Sequence, residues 1–263
     1  MKWGIIMEYL PYFWILIALL GLLLGSFYAC SGYRIPNKIS MIESRSFCPK
    51  CKNTIKWWMN IPVISYIILG GRCFYCKKNI SIMYPIVEIT TSFLAVCGYV
   101  KFGLTTDFLI FFAISSAFMI TCVSDFKYYY VSDRVLIISA IVIFFSRLVE
   151  VGFVGIIKYL IAAIFMFVLM ILIRLFGNKV FKKESLGWGD IKIMALVGFT
   201  IGIIPSLFAV FFASVLALPF AIYEVVAKKD QIVAFGPYLF LGAMIIMYFY
   251  EPLKVIFDNY FLG

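Results

Sequence analysis

The sequence predicts an all-α polytopic membrane protein of about eight transmembrane helices that carries one polar, cysteine-bearing loop. Three observations predict it. Hydrophobic residues make up 64% of the chain, charged ones only 14%, and the mean hydropathy is +1.04. Apolar runs recur that approach the roughly 20 residues needed to cross a bilayer. Lysines and arginines gather in alternate loops, as a polytopic chain obeying the positive-inside bias requires.

The apolar segments, in order, are 10–30, 84–100, 108–124, 135–149, 155–177, 191–204, 205–226 and 236–250. The first reads as a retained helix rather than a cleaved signal. Glu8 and the single Lys2 make a poor basic leader, the run is too long, and Phe27 and Tyr28 are bulky ahead of Ala29-Cys30. Gly198, Gly202 and Pro205 interrupt 191–226, which reads as one broken helix or as two. Gly21-x-x-x-Gly25 and Gly198-x-x-x-Gly202 have the spacing of close helix packing. The expected domains are 1–30, the first helix; 31–83, the polar loop; and 84–263, the remaining membrane helices.

Orientation follows from charge. The 31–83 loop holds nine lysines and arginines against Glu43 alone, so it is expected in the cytoplasm with the N-terminus outside. Eight helices then put 125–134, 178–190 and 227–234 on that same side. These carry Lys127, Arg134, Lys179, Lys182, Lys183, Lys228 and Lys229. The net charge of +10 is accounted for by topology and anionic inner-leaflet lipid, with no nucleic-acid partner implied.

Four of the seven cysteines lie in the polar loop as Cys48-Pro-Lys-Cys51 and Cys73-Phe-Tyr-Cys76. Two such knuckles can present four thiolates tetrahedrally to zinc. The chain contains no histidine, so the shell is all-cysteine, and four ligands leave no open position for catalysis. Two disulfides or four free thiols are the alternatives. A cytoplasmic loop disfavours the first, and flanking Lys50, Lys52, Lys77 and Lys78 favour thiolates. Cys30, Cys97 and Cys122 lie in apolar segments and read as packing residues.

Two carboxylates stand where apolar helices meet the expected cytoplasmic interface. Asp125 ends the segment before it, and Asp190 opens the one after Gly187-Trp188-Gly189. Taken singly, Asp190 can be a helix N-cap and Asp125 a solvated helix end. Glu184, two glycines permitting close backbone approach and Lys192 surround Asp190. If the aspartates meet at a low-dielectric boundary, one holds a proton while the other activates water, the pairing of aspartic proteolysis.

At these residues the chain resembles the type IV prepilin leader peptidases, membrane aspartyl proteases of the GxGD class. Gly25-Ser26-Phe27 with Arg34-Ile35-Pro36 resembles the family's first-helix signature. The two cysteine pairs, Asn60-Ile61-Pro62, Tyr84-Pro85 and Glu88 resemble its cytoplasmic domain, and Phe235-Gly236-Pro237-Tyr238 its late proline-containing loop. Glu184 through Lys192 resembles the catalytic motif. The resemblance implies that Asp190 and Asp125 are the catalytic pair, with Glu184, Gly187, Gly189 and Lys192 as motif support. It implies prepilin and pseudopilin substrates, cut after a glycine at the end of a basic leader, at the cytoplasmic face of a bacterial inner membrane. Many members also methylate the new N-terminus with S-adenosylmethionine, for which Glu88 is the candidate methyl-transfer or substrate contact. No glycine-rich nucleotide loop accompanies that implication. Val131-Ser132 replaces a proline-containing pair of the family pattern, and Ala29 replaces an asparagine.

Two readings from other classes compete. A transporter could relay cations through boundary carboxylates, although midplane sites on broken helices are its usual arrangement. A zinc-bearing adaptor could use 31–83 for binding alone, which gives no reason for Gly-x-Gly-Asp.

Overall fold

The computed structural model describes residues 12–41, 45–224, 226 and 234–257, with side chains as far as 250. The chain forms two compact units, Met1–Leu104 and Thr105–Gly263.

In the first unit, α1 (Phe13–Arg34) packs along α3 (Met83–Phe102). Between them lie a 3-10 turn (Trp57–Asn60) and the short α2 (Ile64–Ile68). Gly21 and Gly25 make the approach that their spacing predicts. A Cβ on either would stand 2.6 Å from the Cα of Ser92 or Glu88 respectively. Ser92 donates its hydroxyl to the Ala18 carbonyl at 2.8 Å. At the end of α1 the buried Arg34 donates to the carbonyls of Ser40 and Arg45, at 3.0 and 3.1 Å. It thereby fixes how the polar loop leaves the helix.

The second unit contains α4 (Thr106–Tyr128), α5 (Asp133–Phe181), α6 (Trp188–Ile201), α7 (Ile203–Tyr223) and α8 (Gly236–Phe257). The side chain of Thr105 caps α4 by accepting the Phe108 N–H. Of its 49 residues, α5 spends the two halves on predicted segments 135–149 and 155–177, joined at a kink where Gly152 has φ 68°. Segment 191–226 is two helices, α6 and α7, because Gly202 at φ 84° turns the chain between them. The second Gly-x-x-x-Gly pair thus divides its work. Gly198 packs, its would-be Cβ 2.7 Å from the Ala162 carbonyl oxygen, while Gly202 has open space around it.

Among the described residues, five helices, α1, α3, α4, α5 and α7, are long and apolar enough to cross a membrane. The remaining predicted segments form α6, of 14 residues, and the apolar stretch Gly236–Tyr250 of α8, both shorter. Exposed Leu16, Leu23, Phe153, Val154, Phe176 and Ile204 coat the outside of these helices as lipid contact requires. The chain is an integral membrane protein. Its second unit centres on α6, which packs against α5, α7 and α8. Ile191, Ile193, Met194 and Val197 of α6 are completely buried, so the helix that carries Asp190 has little freedom to shift.

Candidate active site

Asp125 lies in the last turn of α4 and is buried. The backbone N–H of Gly236, the first residue of α8, hydrogen-bonds its carboxylate, so a helix N-terminus faces the charge. The approach here is tight and favours glycine: a Cβ at 236 would stand 3.0 Å from both Asp125 Oδ2 and Ile193 Cδ1. Ile193 is three residues after Asp190 and on the same side of α6. Through Gly236, therefore, α4, α6 and α8 converge on one point.

Asp190 is half-buried in the first turn of α6. It is not the N-cap. Gly187 occupies that position in extended backbone, and its N–H donates to Asp190 Oδ2 at 3.3 Å. The carboxyl lies within electrostatic reach of Asp125, although 65 residues separate the two in sequence. Gly189 sits against the segment that follows α4, where a Cβ would come within 2.6 Å of Val131 Cγ2. Lys192 points to another partner, forming a 2.6 Å ion pair with Asp133 at the start of α5. Glu184 is exposed and pairs with Arg174 of α5 at 3.1 Å. Gly189 and Lys192 thus lock the first turn of α6 against 131–133 while Gly187 caps it, and none of them needs to touch a substrate to do so.

Arg174 was not singled out in the sequence, and Val131 and Gly236 stood there only as parts of a family pattern, not as contacts of Gly189 and Asp125. A signal for Arg174 existed: a cation within apolar segment 155–177 carries the same functional presumption as a carboxylate. The Gly236 N–H has no side-chain signature at all.

Glu88 belongs to the first unit, buried on α3, where it accepts the Val63 N–H at 2.7 Å. Val63 has φ 60°, a strained conformation for a β-branched residue, and the carboxylate helps hold it. The four cysteines form two knuckles of matching backbone. Cys48 N–H donates to Asn53 O and Lys52 N–H to Cys48 O, at 2.9 and 2.8 Å; Cys73 N–H donates to Lys78 O and Lys77 N–H to Cys73 O, both at 2.9 Å. In each, the lysine after the second cysteine takes positive φ. All four Sγ atoms lie within 4.8 Å of one another, and the Cys48–Cys76 and Cys51–Cys73 pairs are 4.0 Å apart. A disulfide needs about 2.05 Å, whereas sulfurs at 2.3 Å from a zinc ion are separated by roughly 3.8 Å. The cluster can hold a metal ion. The N–H groups of Cys76 and Tyr75 lower the Cys73 thiol to about 7. Cys51 rises to about 11: its Asn53 N–H bond lowers it, but burial and hydrogen bonds to the other three sulfurs outweigh that. Cys73 therefore ionises ahead of Cys51.

Comparison with known proteins matches residues 19–102 to the Bacterial Peptidase A24 N-terminal domain and residues 110–222 to the Type IV leader peptidase family. The chain belongs to the type IV leader peptidase family. Among relatives named prepilin leader peptidase/N-methyltransferase, the Bacillus subtilis protein is 32% identical over 88% of this chain and 92% of its own length. The Vibrio cholerae protein is 32% identical over 77% and 83%, and that of Neisseria gonorrhoeae 30% identical over 88% of each. No solved structure matches. The first match contains Glu88 and all four clustered cysteines, and the second contains both aspartates. In this leader peptidase, then, the four-cysteine cluster and the two aspartates fall in separately matched regions.

Proposed function

We propose that the chain is a membrane aspartyl endopeptidase that removes the basic leader from prepilins and pseudopilins at the cytoplasmic face of the bacterial inner membrane. The observation that carries this reading is the convergence of Asp125 and Asp190, on separate helices, within electrostatic reach and under the N-terminus of α8. Family membership and the names of the relatives support the substrate class.

The chemistry uses the pair as a unit. Two neighbouring carboxyls share one proton because both cannot ionise cheaply. The ionised member takes a proton from water as the water oxygen attacks the scissile carbonyl carbon. The protonated member gives its proton to the carbonyl oxygen. Collapse of the tetrahedral intermediate breaks the C–N bond, and the amine leaves with a proton returned through the pair. The Gly236 N–H stabilises the anionic state, and the Gly187 N–H orients Asp190.

The 31–83 region would act as a structural zinc domain, with Cys48, Cys51, Cys73 and Cys76 as ligands, while 84–263 forms the protease core. Its donor set fits the metal in number, type and spacing. Methylation of the new N-terminus by S-adenosylmethionine rests on the relatives' names. Glu88 remains its candidate contact, although its carboxylate already accepts the Val63 amide.

Membranes containing the chain, incubated with a prepilin-type precursor, should yield a product lighter by the mass of the leader. An intact precursor is the outcome that a transporter or a binding adaptor predicts.

A further inference from the structure

The segment that delivers Asp190 is held by a residue far from it in sequence. After α5 ends, Lys182 takes a left-handed conformation, and residues 183–187 fold back along the helix they have just left. Arg174, two turns before that end, meets the returning chain in three ways. Its Nη2 pairs with Glu184 Oε1 at 3.1 Å. Its guanidinium lies 4.5 Å from the ring centre of Trp188. Its carbonyl accepts the Ser185 hydroxyl at 3.3 Å. One turn on, Asn178 Oδ1 accepts both the Ser185 N–H at 2.7 Å and its hydroxyl at 3.1 Å. Gly177 leaves room for this fold, since a Cβ there would collide with Ser185.

We infer that Arg174 is a positioning residue that sets the entry of α6, and so the placement of the Asp190 carboxyl, by clamping Glu184 and Trp188 from α5. The inference rests on the proposed role of Asp190. Trp188 is the first residue of α6 and stands two positions before Asp190, so a ring held in place restricts the turn carrying the carboxyl. The Arg174 side chain is 11% exposed, and its Nη1 is buried without a hydrogen-bond partner. For stability alone, an apolar residue would be cheaper at such a site. Glu184 in contrast is 82% exposed, so their ion pair contributes little to holding the protein folded. A clamp assembled from individually weak contacts should matter for geometry more than for stability.

The test uses purified full-length protein in detergent, with cleavage kinetics on a prepilin-type precursor and hydrogen exchange across 182–190. Arg174→Met should lower kcat on the order of 10- to 100-fold, leave KM unchanged and speed exchange in 182–190 only. Arg174→Lys keeps the charge but loses the planar stack on Trp188, and should recover part of kcat and part of the protection. Should Arg174→Met fail to fold, Glu184→Gln and Trp188→Leu alter exposed partners and should give smaller effects of the same kind. Unchanged kcat in these variants, or a loss of kcat without faster exchange, would overturn the clamp. Asp190→Asn, run alongside, separates the two ideas. Cleavage by that variant refutes the aspartate pair whatever the clamp does, whereas an inactive Asp190→Asn beside a fully active Arg174→Met refutes the clamp alone.

Discussion

Gly189 illustrates how tightly the site is drawn at the level of single residues. Alanine there would favour a helix by about 1 kcal/mol through backbone entropy alone, yet its Cβ would press on Val131 Cγ2 at 2.6 Å. These effects oppose one another in stability and leave the steric one visible in activity. Gly189→Ala should lose activity by roughly tenfold or more, since displacement of a reacting group by a fraction of an ångström already costs rate. Val131→Gly, which removes the opposing Cβ at 2.8 Å along with its methyls, should restore much of it. Failure of the double variant to recover, measured as kcat on a prepilin-type precursor, would point to a role for Gly189 other than clearance. The glycines were legible in the sequence as permitting a close approach. What they approach was not, because Val131 is an ordinary aliphatic residue 58 positions earlier.

Individual helices are held at their ends by charges in otherwise apolar surroundings. Arg147 of α5 donates to the Thr200 carbonyl at 2.8 Å, near the C-terminus of α6 where a cation is favoured. It also pairs with Glu150 and, at 3.5 Å, with Asp107 at the start of α4, and lies 4.8 Å from the ring centre of Tyr159. Arg147→Met should destabilise the protein by about 2 kcal/mol, less than the full cost of breaking a buried pair because Asp107 and Glu150 remain partly hydrated. Thermal unfolding in detergent reads this as a lowered Tm, and an unchanged Tm would deny the residue its role. The cysteine knuckles behave as a second kind of element, one whose folding is coupled to its metal. Purified protein should contain one zinc per chain, and Cys48→Ser or Cys76→Ser should lower the metal content and loosen 31–83. Full activity of a stable, metal-free protein would contradict a structural role. The knuckles could be read directly, since four cysteines at paired spacing have few other uses. Arg147 and Arg174 could not be read as partners of anything, because their contacts are carbonyls, rings and carboxylates brought near only by the fold. The break at Gly202 was visible as an ambiguity, which the positive φ resolves into two helices.

At the scale of the molecule, eight apolar segments and alternating charge describe the chain as a membrane protein well, and every predicted segment within the described residues is helical. Which helix sits at the centre was not legible. Periodicity cannot distinguish α6, buried over most of its length after Lys192, from helices that bury one face and offer the other to lipid, since both are largely apolar. That centrality matters for the substrate. The proposed pair lies between helix ends, so the scissile bond must enter a narrow gap as extended backbone where a basic leader meets an apolar helix. A precursor series with Gly, Ala, Val and Leu before the cut should be cleaved in falling order, because a Cβ obstructs entry. Equal cleavage across the series would remove the narrow-gap argument, and a product released on the outer face would reverse the proposed topology.

The central claim is that Asp125 and Asp190 act as one proton-sharing pair. The most direct measurement compares purified wild-type protein with Asp125→Asn and Asp190→Asn on the same precursor, following product by mass and folding by thermal melt. Each substitution keeps size and hydrogen bonding but removes the shared proton's second site. The account predicts that both variants fold and bind metal like the wild type and that neither releases a leader. Robust cleavage by either folded variant would contradict it.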